Sequence, residues 1–127
     1  MRTTTSVHDF ATTVDRARSA IEARGMTVIA AIDHGANAAR VGLELRPTTL
    51  LVFGNPQVGT LVMLERQTAG IDLPLKLLIW QDEAGAVRLT YDDPAGIFER
   101  HQVQGRSEVL ERMQGALASI AAEAAGQ

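Results

Sequence analysis

The polar pair Asp33-His34, at the end of the apolar run Met26 to Ile32, has the residue types that general-base catalysis uses. A carboxylate beside an imidazole can set its tautomer and raise its basicity, and histidine titrates near neutral pH. The structural alternative is that Asp33 caps a short helical turn starting at Gly35 while His34 is partly exposed. His34 and Asp33 are therefore candidate catalytic residues, with helix capping as the competing interpretation.

A second candidate segment is Gly54-Asn55-Pro56, which ends one apolar run and begins an amphipathic one. Backbone amides and the helix dipole at such a position favour an anion, so Asn55 is a candidate ligand-binding residue. The glycine spacing matches neither a P-loop nor a dinucleotide-binding loop. The structural alternative is an Asn55 cap followed by proline at the first helical position.

Asp72 and Lys76 form the third candidate group, on either side of Leu73-Pro74-Leu75. A carboxylate and an ammonium near one loop can mark a groove for a ligand or a partner. The alternative is that Lys76 lies on a half-exposed sheet face and meets solvent. Both residues are candidates for ligand binding.

The sequence predicts no metal site and no cofactor. The three histidines, His8, His34 and His101, are dispersed, and neither an HxH nor an HExxH motif is present. The chain has no cysteine, which excludes thiolate ligands, thiol nucleophiles and disulfides.

Composition indicates one globular domain, residues 1–127, with 46% hydrophobic and 21% charged residues. The net charge of −3 comes from interspersed acidic and basic residues, so neither a nucleic-acid partner nor an anionic membrane is expected. The longest apolar run, Leu73 to Trp80, contains Pro74 and Lys76 and is shorter than the roughly 20 residues that span a bilayer. We therefore expect a cytoplasmic protein.

The elements that position these residues follow from periodicity and punctuation. A helical stripe begins after Asp9 and ends at Gly25, and a second stripe follows Ser107, which is the predicted cap of the last helix. A helix is predicted from about Pro56 to Thr68, and a hairpin is predicted around Gly85. The order of elements predicts an α+β fold with a mostly antiparallel sheet and two long helices packed on one face.

Several segments together resemble the bacterial and archaeal family called domain of unknown function 302. The matching segments lie in the order typical of that family: Phe10 with Val14, Ile32-Asp33-His34, Ala39 with Gly42 to Thr48, Phe53 to Pro56 with Gly59 to Met63, Ile71 to Lys76, Gly85, and Tyr91 to Pro94. The resemblance implies a TATA-binding-protein-like β-α-β(4)-α fold that is often a homodimer. It implies no activity, and a fold name is not evidence of DNA binding.

Three hypotheses about function follow. In the first, the chain is a homodimeric binding module that takes a small molecule or a protein in a polar groove near Asp33, His34, Asn55 and Asp72. In the second, it is a small enzyme in which His34 is the general base, Asp33 orients it, and Asn55 or Lys76 stabilises negative charge. In the third, it is a structural dimer without a small-molecule ligand.

Overall fold

Five strands form one fully antiparallel sheet in the computed structural model, which describes all 127 residues. The strands are β1 (Arg2–Thr5), β2 (Thr27–Asp33), β3 (Thr48–Gly54), β4 (Leu75–Gln81) and β5 (Val87–Tyr91). Their order in the sheet is β1-β5-β4-β3-β2, so β4 is central and β1 and β2 are the two edges. Every pairing between neighbours is antiparallel.

Five helices and a short 3-10 segment connect and flank the strands. They are α1 (Phe10–Ala23), α2 (His34–Arg40), α3 (Pro56–Glu65), the 3-10 helix Gln67–Ile71, α4 (Ala95–Arg100) and α5 (Ser107–Ala125). None of these helices combines the length and the continuous apolar character that crossing a bilayer requires.

The hydrophobic core lies between the sheet and the two long helices, α1 and α5, which also pack against each other. Alternate residues of the central strands turn one face to this core, and they include Leu51, Phe53, Leu77, Ile79 and Leu89, each fully buried. The predicted α+β class, with a mostly antiparallel sheet and two long helices on one face, is confirmed.

Local sequence signals account for most element ends. The Asp9 carboxylate accepts a hydrogen bond from the Thr12 amide at 2.8 Å, which caps α1 as predicted. Gly85, at φ +87°, provides the left-handed residue that the β4–β5 hairpin needs. The Asp93 carboxylate accepts from the Ala95 amide at 2.9 Å and so begins α4.

Two boundaries differ from the prediction. Ser107 does not cap α5, because Arg106 adopts a left-handed conformation (φ 58°) and Ser107 is already the first helical residue. The helix predicted to reach Thr68 ends at Glu65, where Arg66 is extended (φ −144°, ψ 104°) and the chain re-forms as the 3-10 helix. Periodicity detects helical character in both places but not the residue at which the backbone departs from it.

Candidate ligand-binding site

The structure separates the predicted site residues along the sheet. In the antiparallel pair of β2 and β3, Thr27 lies opposite Gly54, and Asp33 lies opposite Thr49. Asp33 and His34 are therefore at one end of these strands, and Asn55 is at the other end, several residues of extended chain away. The expected groove joining Asp33, His34, Asn55 and Asp72 does not form within one chain.

Asp33 has a capping role. Its carboxylate accepts a hydrogen bond from the Ala36 amide at 2.9 Å, which makes it the N-cap of α2. His34 is the exposed first residue of that helix, its side chain makes no hydrogen bond, and it lines neither of the two main cavities. This is the geometry of the capping interpretation.

Asn55 lines a cavity of about 600 Å³. The cavity is bounded by α3, the middle of α5, and the adjoining ends of β2, β3 and β4. The Asn55 side-chain oxygen accepts from the Gln57 amide at 3.0 Å and caps α3. Its side-chain amide group donates no hydrogen bond, so two donors remain available to a molecule in the cavity.

Most of the cavity wall is apolar. Three of the four methionines of the chain line it, each from a different element or loop: Met26, Met63 and Met113. Pro74 and several aliphatic residues also line it, including Ile29, Val58, Leu73 and Leu75. Ile29 is 60% exposed although it belongs to a strand. Methionine side chains are flexible and polarisable, so this wall can adapt to apolar molecules of different shapes.

Four glycines form part of the cavity wall. Gly54, Gly59, Gly70 and Gly115 all line the cavity. A Cβ atom at Gly70 would lie 3.1 Å from the Met63 sulfur, so a side chain there would displace that wall. A Cβ atom at Gly115 would meet nothing within 4 Å, which places open volume directly beside α5.

The charged residues lining the cavity are two arginines, Arg24 and Arg112, and no carboxylate lines it. Arg24 is neutralised by Glu123, whose Oε2 lies 2.6 Å from Nη1 of Arg24. Arg112 takes part in none of the ion pairs of the chain. The wall therefore carries an excess of positive charge.

Asp72 belongs to a different cluster. Its Oδ2 lies 2.6 Å from Nε2 of His101 and 3.4 Å from Nε of Arg100, and His101 Nδ1 lies 2.9 Å from the Thr68 hydroxyl. The His101 hydrogen bond, and then that of Arg100, hold the pKa of Asp72 below its usual value of 3.8. Lys76 donates to the carbonyl oxygens of Asp72 and Pro74.

The hydroxyl, imidazole and carboxylate of Thr68, His101 and Asp72 follow the order of a hydrolase triad. Neither Thr68 nor His101 lines either of the two main cavities, and Asp72 and Lys76 line only a smaller one of about 200 Å³. The cluster ties the 3-10 helix to the end of α4. Sequence reasoning missed His101 because 29 residues separate it from Asp72.

Sequence reasoning also missed the other residues that line the large cavity. Arg112 and the three methionines carry no motif, and only their accumulation on one wall distinguishes them. Asn55 is the one predicted site residue that lines the large cavity, and its signal was the turn between an apolar strand and a helix.

We expect Asp72→Asn to lower the melting temperature near neutral pH by roughly 3–5 °C, because it weakens a charge-assisted hydrogen bond worth on the order of 1 kcal/mol. The lowered pKa means that this stabilisation is present above pH 3.8 and is lost as the pH falls through the folded-state pKa. The melting temperatures of the two proteins should therefore converge in acid. Asp15→Asn, at an exposed residue without a side-chain partner, should have little effect, and a deficit in Asp72→Asn that does not change with pH would contradict the assignment.

Among solved structures, the chain is similar to the "uncharacterized conserved protein DUF302" from Bacillus stearothermophilus. The TM-score is 0.87 with 20% sequence identity, and the match covers 97% of this chain and 96% of that one. At this identity the likeness establishes the fold.

Among curated proteins, the chain is 44% identical over 107 residues to "Fluoride-specific ion channel FluC 1" of Brucella suis biovar 1, a match that covers 84% of this chain and 42% of that protein. "Fluoride-specific ion channel FluC 2" of Brucella melitensis biotype 1 matches with the same identity, and that match covers 40% of the relative's length. The chain thus spans about two-fifths of the length of these relatives. The family model described as "Domain of unknown function DUF302" matches residues 2–120. The resemblance carried by the Asn55, Asp72 and Asp93 segments is therefore confirmed, and the chain belongs to the DUF302 family.

Proposed function

We propose that this chain is a binding module that holds a small, largely apolar molecule in the cavity between α3 and α5. The observation that carries the proposal is the cavity itself, about 600 Å³ with a mostly apolar wall that includes a few polar groups. Small-molecule sites typically have volumes of about 300–1,000 Å³ and this mixture of lining residues.

The chemistry of the lining favours binding over catalysis. Its neutral polar side chains are Asn55, Thr60 and Ser119, and the Thr60 hydroxyl already donates to the Pro56 carbonyl at 2.6 Å. A general base within reach of the bound molecule would be needed for proton transfer, and neither His34 nor His101 lines the wall. The second hypothesis, with His34 as base, therefore has less support.

A large side chain that occupies the cavity should weaken binding without unfolding the chain. We expect Gly115→Trp to weaken binding of the neutral fluorescent probe N-phenyl-1-naphthylamine by at least about tenfold, a loss of about 1.4 kcal/mol. The indole would occupy the open space beside Gly115, and removing a helix-interior glycine favours α5. Fluorescence titration measures the affinity, and circular dichroism measures the fold.

The matched control is Ala118→Trp, which places the same side chain on an exposed position of α5 that does not line the cavity. It should bind the probe like the wild type. If a folded Gly115→Trp variant bound the probe with wild-type affinity, the cavity would not be the binding site.

We also propose that a domain of this kind accompanies the fluoride channels of the Brucella relatives as an accessory module. The match covers 42% of the Brucella suis protein, and no helix of this chain is long and apolar enough to cross a membrane. A conducting pathway must cross the bilayer, so conduction would belong to the part of the relative outside the match.

Deleting the matched region from the Brucella suis protein should therefore leave fluoride efflux from reconstituted vesicles largely intact. Efflux would be followed with a fluoride electrode, and insertion of the shortened protein would be checked by flotation with the vesicles. A correctly inserted protein that no longer conducts would contradict an accessory role.

We propose self-association as a second property, supported by an exposed apolar strip at residues Val41, Leu43 and Leu45. Their exposed fractions are 72%, 65% and 49%, and the preceding helix α2 buries none of its residues. Clustered apolar side chains of this kind mark contact surfaces, and a homodimer is the simplest closed assembly that would cover them.

At micromolar concentration we expect sedimentation analysis to give twice the chain mass of 13.6 kDa. Leu43→Lys should shift the protein to the monomer, because each dimer would bury two uncompensated charges. Ile71→Lys, at an equally apolar residue that is 82% exposed outside the strip, serves as the control and should remain dimeric. A wild-type protein that is monomeric throughout would remove the proposal.

A further inference from the structure

We propose that the molecule held in the cavity is an organic anion, with an apolar body against the methionine-lined wall and one acidic group paired with Arg112. This inference rests on the proposed binding function and adds the chemical class of the ligand. It follows from the distribution of charge around the cavity, from the free state of Arg112 and from the volume available.

The cavity wall is more positive than the chain as a whole. The sequence has 15 acidic and 12 basic residues, a net charge of −3, yet the wall has two arginines and no acidic residue. A neutral or cationic ligand would not require this segregation of charge. An anion would be attracted to it, because opposite charges interact more strongly beside a low-dielectric wall than in bulk water.

The two arginines differ in their availability. Glu123 already pairs with Arg24 at 2.6 Å, and Arg24 Nη1 also donates to the Ala20 carbonyl at 3.1 Å. Arg112 makes no side-chain hydrogen bond and no ion pair, and Glu108, one helical turn before it on α5, is not within ion-pair distance. Its guanidinium retains five donors in a planar arrangement that suits a carboxylate, sulfonate or phosphate group.

The rest of the cavity wall determines which groups the remainder of the ligand should carry. Met63 and Met113 offer sulfur and methylene contacts that suit aromatic as well as aliphatic groups. The unpaired amide donors of Asn55 add a second polar contact on the same cavity. A volume of about 600 Å³ is far larger than a halide ion, so fluoride alone would leave the apolar wall without contacts.

The test compares two fluorescent probes that share one aromatic body. 1-Anilinonaphthalene-8-sulfonate carries a sulfonate, and N-phenyl-1-naphthylamine lacks it. At constant ionic strength the wild-type protein should bind the sulfonate probe more tightly than the neutral probe. Arg112→Gln should weaken binding of the sulfonate probe by about three- to tenfold, which lies between the effect of losing an exposed ion pair and that of losing a partly desolvated one. Binding of the neutral probe should not change.

Arg40→Gln is the matched control, because it removes the same charge from an exposed position that lines neither of the two main cavities. It should bind both probes like the wild type. Millimolar sodium fluoride should not displace the sulfonate probe when sodium chloride at the same concentration is the reference. Displacement by fluoride would overturn the assignment to an organic anion.

The outcomes separate the two proposals. If Gly115→Trp abolishes binding of both probes while Arg112→Gln affects neither, the cavity binds molecules but the anion preference is wrong. If Arg112→Gln and Arg40→Gln weaken binding of the sulfonate probe equally, the affinity for that probe reflects the net charge of the protein, and the assignment to Arg112 is wrong. If Gly115→Trp leaves both affinities unchanged, the binding function itself is wrong.

Discussion

Burial of the two long helices on one face of the sheet is the interaction on which the rest of this structure depends. The two helices pack against each other, and both bury small side chains almost completely: Ala17, Ala20, Ala121, Ala124 and Ala125. Small residues let two helices approach closely. Larger side chains of the same helices, including Ile21, Leu117 and Ile120, belong to the core that also contains the buried residues of the sheet.

A gap remains between α5 and α3. α3 begins just after β3 and touches α5 only slightly. The space between α3 and α5 is lined by glycines and flexible methionines. Large rigid side chains at these positions would close it. This open gap, bordered by the amide donors of Asn55 and by Arg112, is the feature on which the proposed binding function rests.

Several polar residues that the sequence offered as candidates for catalysis or binding have structural roles in this fold. Asp33 and Asn55 both cap helices through their side-chain oxygens, and Asp72 anchors His101. Asn55 differs from the other two because capping uses only its oxygen and leaves its amide donors beside the cavity. The residue types alone therefore do not identify a functional site, and neither does the fold.

The sequence by itself determined the local structure. The Asp9 and Asn55 caps, the Gly85 hairpin and the apolar stripes act over a few residues, and they were sufficient to predict the α+β class. The ends of α3 and α5 were less predictable, because the extended Arg66 and the left-handed Arg106 depend on surroundings that periodicity does not encode.

Only the tertiary structure decided the site. Antiparallel pairing of β2 and β3 put His34 and Asn55 at opposite ends of the sheet, although both follow apolar strands in the sequence. The same folding brought Met26, Met63 and Met113 from distant parts of the chain onto one wall. Local signals reach about one helical turn, whereas a cavity wall depends on contacts between elements far apart in sequence, so its residues could not be recognised until the elements were packed.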